Sequence, residues 1–185
     1  MHIFTDRNHI IIDTRSSDEF LDHHIDGSVF VGFSGGNFKH WLELLLPDKN
    51  ADIEVITTVT DADKVMATVS ELGYSNAKLM ELNSAGDVLD HISTNEFKEI
   101  IRNNNDSAVL DVREVDEYSQ GSMANAEKLP LSDILQGQLP KQDKQYVVHC
   151  GSGYRSVIAI SLLKLLGRCK LINLDGGYQQ LMAKK

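Results

Sequence analysis

Tyr146-Val147-Val148-His149-Cys150-Gly151-Ser152-Gly153-Tyr154-Arg155-Ser156-Val157 is the stretch that decides how this chain is read. An apolar run enters it, and a longer one, from Val157 to Leu166, leaves it with the length and composition of a buried helix. A strand that turns into a helix through two glycines leaves the first amides of that helix without intrahelical partners, and those amides carry partial positive charge. A thiol placed there is expected to ionise readily, because helix N-termini and guanidinium groups bring cysteine well below its ordinary range. Gly151 and Gly153 permit conformations that turn successive N–H groups inward around an anion, and Arg155 is expected to close that cradle. A lone cysteine beside a glycine-rich turn reads as a small core residue. Here thiol, glycines and guanidinium converge at one spacing, and each fills a separate chemical need.

Working outward, the chain is a unit written twice. A shift of 98 places sets Ile11-Ile12-Asp13-Thr14-Arg15 on Val109-Leu110-Asp111-Val112-Arg113, and Asp18-Glu19-Phe20 on Asp116-Glu117-Tyr118. The first copy has no counterpart to the loop: at that place it offers Thr57-Thr58-Val59-Thr60-Asp61-Ala62-Asp63, without thiol, glycine or arginine. Its acidic residues would repel an anion. Each copy alternates β-rich runs (9–13, 54–59 and 78–82; then 108–112, 145–150 and 169–174) with helical patterns. That alternation predicts an α/β fold of two domains, residues 1–88 and 89–185, each a mainly parallel sheet flanked by helices. Asp61-Ala62-Asp63 reads as a helix start and Gly73 as its stop, while Ser93-Thr94-Asn95-Glu96 is a capping box for a helix through Arg102.

Composition narrows the class. The 185 residues are 42% hydrophobic with a formal charge of −9, which disfavours nucleic acid and anionic membrane as partners. Residues 1–92 hold 16 acidic against 6 basic side chains, a net of −10; residues 93–185 hold 11 against 12, a net of +1. The half that carries the thiol has thus shed the repulsion toward an anionic substrate. Two cysteines form neither a disulfide framework nor a zinc spacing, and a working thiolate needs a reducing compartment, so a cytoplasmic location is expected. Cys169 enters an apolar run and reads as core.

Leu110-Asp111-Val112-Arg113-Glu114, Asp116-Glu117-Tyr118, Gly121, Leu129-Pro130, His149-Cys150 through Ser156, and Leu174-Asp175-Gly176-Gly177-Tyr178 resemble a rhodanese domain across the whole second copy. The first copy resembles an inactive rhodanese repeat through Asp13, Arg15, Glu19, Phe20, His24, Ile25 and Gly27. The resemblance implies a sulfurtransferase in which Cys150 takes sulfane sulfur from thiosulfate or a low-molecular-weight persulfide and passes it to a thiol or cyanide. Gly151, Ser152, Gly153, Tyr154, Arg155 and Ser156 would bind the small anionic donor, Asp111 and Arg113 would support the site, and no metal or cofactor is called for. Ser34 through Trp41 and on to Leu46-Pro47 resembles the first of two repeats that follow a metallo-β-lactamase-fold domain in some fusion proteins. With few residues ahead of Asp13, this predicts such a domain N-terminal to the present chain. Ser122, Asn125 and Leu181 depart from the family pattern, which often has histidine, glycine and tryptophan there.

Two other readings compete. A cysteine phosphatase or arsenate reductase on the same scaffold would carry five residues between cysteine and arginine; here there are four, and no general acid follows the loop. A non-catalytic sulfur carrier or docking module for the expected N-terminal domain fits the same residues. Asp111 and Arg113 read first as a structural ion pair, because Asp13 and Arg15 persist in the copy without a site. His149, by strand alternation, points away from Cys150 and reads as a core histidine. His23-His24 lacks a partner at ligand spacing and reads as a loop or turn.

Overall fold

The computed structural model describes residues 3–4, 9–34, 37–82, 86–102, 108–141, 144–168 and 170–183. The chain divides into two compact units, His2–Val88 and Leu89–Lys185.

In the first unit, strands β1 (His9–Asp13), β2 (Val29–Phe30), β3 (Asp52–Ile56) and β4 (Ala77–Leu79) form one parallel sheet in the order β2-β1-β3-β4. Helices α1 (Ser17–Asp22), α2 (Phe38–Leu45) and α3 (Ala62–Glu71) connect them. Strand β1 alternates Ile10 and Ile12 with more open positions, the pattern of a chain that must bury one side most deeply. Helix α3 starts after Asp61, buries Val65 and Val69, and stops where Gly73 takes a φ of +91°. His23 caps α1, while His24 is buried, stacks on Phe20 and bonds the Phe20 carbonyl through Nδ1.

The second unit holds β5 (His91–Ile92), α4 (Thr94–Arg102), β6 (Ala108–Asp111), β7 (Glu127–Lys128), α5 (Leu131–Leu135), β8 (Tyr146–His149), α6 (Tyr154–Leu165), β9 (Leu171–Leu174) and α7 (Gly177–Met182). Its sheet, in the order β5-β9-β8-β6-β7, is also parallel throughout. The capping box at Ser93 and Glu96 forms in both directions and opens α4. Pleat alternation sends Val109, Val147 and Ile172 to the side where Phe97 of α4 and Leu181 of α7 pack. Residues one position on, including Leu110 and Val148, belong to the opposite side. Leu181 thereby fills core space in place of an indole, and Asn125 holds a φ of +65°, the left-handed conformation that a glycine would otherwise supply.

The duplication extends to register. Asp13 pairs with Phe30 and Asp111 with Lys128, residues separated by the same 98-place step. At the other edge of each central strand, Thr14 N–H meets the Ile56 carbonyl at 2.8 Å and Val112 N–H meets the His149 carbonyl at 3.0 Å. Ile56 therefore corresponds to His149, and Thr57 to Cys150. Among the described residues, no helix is long and apolar enough to cross a membrane.

Candidate active site

Cys150 follows the last residue of β8 and is 1% exposed, but it is not sealed in hydrocarbon. Gly153 donates its backbone N–H to Cys150 Sγ at 3.2 Å, and Ser156 Oγ lies 3.8 Å from the same sulfur. Gly153 caps α6 with a φ of +103°, and a Cβ there would come within 3.3 Å of the Gly176 nitrogen, so glycine meets both the backbone and the space requirement. Helix α6 carries no acidic residue in its first turn, which leaves the positive end of its dipole uncompensated beside the sulfur.

A second element clasps the loop from behind. Tyr178 N–H donates to the Cys150 carbonyl at 2.8 Å and Gln179 N–H to the Gly151 carbonyl at 2.9 Å. Gly177, with a φ of +57°, would place a Cβ 2.7 Å from the Cys150 carbonyl oxygen. The Gly176-Gly177 pair is thus what lets α7 approach the loop closely. With the Cys150 and Gly151 carbonyls held from behind, the Gly153 amide faces the sulfur.

Arg155 is not turned to the sulfur as an open cation. Its Nη1 and Nη2 donate to Glu117 Oε2 and Oε1 at 2.5 and 2.7 Å. This fork-to-fork pairing with Arg155 holds the Glu117 carboxyl below the usual carboxylate range and the guanidinium above its own. Glu117 is placed by the 3₁₀ turn Val115–Gln120, whose capping residue Glu114 gives its N–H to Glu117 Oε2 at 3.0 Å. The expected cradle is therefore a neutral pair beside the Gly153 amide that faces the sulfur.

Asp111 and Arg113 lie on the other side of the sheet. Arg113 Nε and Nη2 donate to the two Asp111 oxygens at 3.0 and 2.6 Å, and Nη2 also reaches the Gly121 carbonyl at 2.9 Å. Arg15 and Asp13 repeat that ion pair at the same distances in the first unit. Only the second pair touches the loop's support: Arg113 Cζ lies 4.1 Å from the centre of the Tyr178 ring, whose backbone holds the Cys150 carbonyl. His149 is fully buried on this side, stacked on Tyr178 at 6.0 Å, and donates from Nδ1 to the Cys150 carbonyl at 3.2 Å. Its Nε2 makes no hydrogen bond among the described residues and lies 3.8 Å from Asp111 Oδ2, while burial pushes the imidazole below its ordinary value. Such a ring is held neutral as a core group.

Of the remaining loop residues, Ser152 is exposed, Gly151 and Ser156 are buried, and Tyr154 is half-buried with its phenol pushed up by burial. Cys169 lies outside the described residues. Among the described residues, no three His, Cys, Asp or Glu side chains gather in a metal-binding group. Two participants carry no chemical role in the reading of the sequence. Glu117 stands 38 positions from Arg155, and Asn173, 2% exposed on β9, bonds Ser156. A polar residue inside the run Leu171-Ile172-Asn173-Leu174 is the one signal that could have found the latter.

Comparison with known proteins follows the duplication. The rhodanese-like domain model matches residues 2–82 and again residues 93–184. The chain is 30% identical over 98 residues to a putative sulfur carrier protein of Bacillus subtilis strain 168, a match that takes in 52% of each. It is 30% identical over 92 residues to a sulfurtransferase of Allochromatium vinosum, covering 49% of this chain and 85% of that one. A solved rhodanese-related protein of Thermoplasma volcanium is 33% identical, covers 50% of this chain and 90% of its own, and aligns with a TM-score of 0.44. The chain spans about half the length of the Bacillus relative.

Proposed function

Because the chain belongs to the rhodanese-like domain family, with a sulfurtransferase among its relatives, we propose that Cys150 carries sulfane sulfur from a small anionic donor to a thiophilic acceptor. The observation that supports this most is the Gly153 N–H aimed at Cys150 Sγ, at the uncompensated start of α6, in a loop whose carbonyls are held by α7.

In the first half-reaction Cys150, as thiolate, attacks the sulfane sulfur of the donor. The Sγ–S bond forms, the donor's S–S bond breaks, and its electron pair leaves with sulfite or with a thiolate. In the second, a thiol in its thiolate form or cyanide attacks the outer sulfur, the Sγ–S bond breaks, and the pair returns to Sγ. The amides opening α6 stabilise negative charge on sulfur at both stages without reorganising. The first repeat, with Thr57 in place of the cysteine, takes no part in transfer on this reading. A metallo-β-lactamase-fold domain beside this chain, and a reducing cytoplasmic setting, belong to the same proposal. The segment from Ser34 to Pro47 supports the former and the requirement for a free thiolate the latter.

Thiosulfate or glutathione persulfide should add one sulfur to the peptide carrying Cys150, and cyanide should then release thiocyanate. Cys150→Ser should abolish both; undiminished turnover in that variant overturns the mechanism. The burial of Cys150 favours one second reading, a carrier that delivers sulfur only to a docked partner. Loading without turnover on small acceptors would select it, and brisk hydrolysis of an aryl phosphate would select a phosphatase instead.

A further inference from the structure

Ser156 has one hydroxyl proton and three neighbours able to take it. Its Oγ lies 2.7 Å from Asn173 Oδ1, 3.0 Å from the Gly153 carbonyl and 3.8 Å from Cys150 Sγ. The destination of that proton decides whether the hydroxyl faces the sulfur as a donor or shows it a lone pair. The amide of Asn173 supplies the answer. Its Nδ2 donates to Asp175 Oδ1 at 3.0 Å, and a carboxylate can only accept, so the Oδ1 end is the one turned to Ser156. Asp175 is itself fixed from β5: His91 Nδ1 meets its Oδ2 at 2.9 Å, and its N–H donates to the Ile92 carbonyl at 3.0 Å. A buried amide is costly unless its bonds are met, and Asn173 meets them at both ends.

Resting on the reading of Cys150 as the sulfur carrier, we propose that Asn173, oriented by Asp175, is a positioning residue that draws the Ser156 proton away from Cys150. At rest the hydroxyl then offers the sulfur a lone pair, which suits an S–H and withholds a donor from a thiolate. When the Sγ–S bond of the loaded cysteine breaks and its electron pair returns to Sγ, Ser156 turns, gives up Asn173 and donates to the new thiolate. The pair restrains the free thiol between turnovers and releases a donor when charge arrives.

The test is the rate at which iodoacetamide alkylates Cys150 in the unloaded protein at mildly acidic pH, read by mass spectrometry of its peptide. Asn173→Leu removes the shortest of these acceptors, leaves the proton to the Gly153 carbonyl or the sulfur, and should raise the rate roughly three- to tenfold, the worth of one hydrogen bond. Asp175→Asn lets the Asn173 amide turn over and should act in the same direction. In a Ser156→Ala background both gains should vanish, whereas a general loosening of the loop would persist there. Rates within about twofold of the parent for both single variants, or equal gains without the Ser156 hydroxyl, would overturn the proposal. Asp175 is partly exposed, so its single and double variants carry the test if Asn173→Leu fails to fold. Alkylation needs no sulfur donor: a protein that never loads sulfur would refute the transfer reading while leaving this outcome to be read separately.

Discussion

Glu117 grips both terminal nitrogens of Arg155, so the guanidinium in the first turn of α6 is already paired. The donor that meets Cys150 Sγ is instead the backbone N–H of Gly153, at 3.2 Å.

That pairing has a pH signature. The Glu117 carboxyl is depressed in the folded state, chiefly by Arg155, so its stabilisation is complete above the ordinary carboxylate range and is lost as pH falls through the depressed value. Glu117→Gln should cost about 1–2 kcal/mol at neutral pH and lose less on acidification than the parent. Urea denaturation at neutral and acid pH measures it; parallel curves for both proteins would contradict the assignment.

The approach of α7 can be probed with two glycines of similar backbone. Gly177→Ala would put its Cβ 2.7 Å from the Cys150 carbonyl, whereas Gly167, at a φ of +84°, has nothing within 4 Å. Both should lose about 1 kcal/mol to left-handed strain, but Gly177→Ala should lose more stability and most of its sulfur transfer. Equal activity in the two variants would mean that the clasp does not shape the loop.

The twin ion pairs should separate structure from support. Breaking either buried pair, by Asp13→Asn or Asp111→Asn, should cost roughly 3–5 kcal/mol in denaturation experiments. Only the second should also slow sulfur transfer in the folded protein, because Arg113 packs on Tyr178 and Tyr178 holds the Cys150 carbonyl. A slowed Asp13→Asn would refute this division.

Thr57 occupies the place of Cys150, and its hydroxyl is buried without a partner. Placing Cys there in a Cys150→Ser background should restore no transfer, since no glycine follows it and Asp61 and Asp63 flank the start of α3. Thiocyanate formation by that double variant would show that the scaffold alone suffices.

The loop, the duplication and the sheet class were legible in the sequence because each leaves a local or periodic mark. Strands β2, β5 and β7 were not. Two residues carry no period, and their pairing is decided by β1, β9 and β6. Predicted strand ends ran past the structure at 57–59 and 80–82, although Met80 N–H still reaches the Val55 carbonyl at 2.9 Å. Arg155 was legible as a cation but not as a paired one, since its partner comes from a separate turn brought near only by folding. The glycine pair at Gly176-Gly177 was visible as a motif; its reason, contact with the Cys150 carbonyl, needed the third dimension.

The bonds from Tyr178 and Gln179 to the loop carbonyls give synthesis an order. Cys150 leaves the ribosome before α7 does, and until Gly177–Met182 docks, the Cys150 and Gly151 carbonyls lack the donors that hold them. A nascent product that has not yet reached α7 thus holds Cys150 in an unclasped loop, so completion of the loop waits on a helix that follows it in the chain.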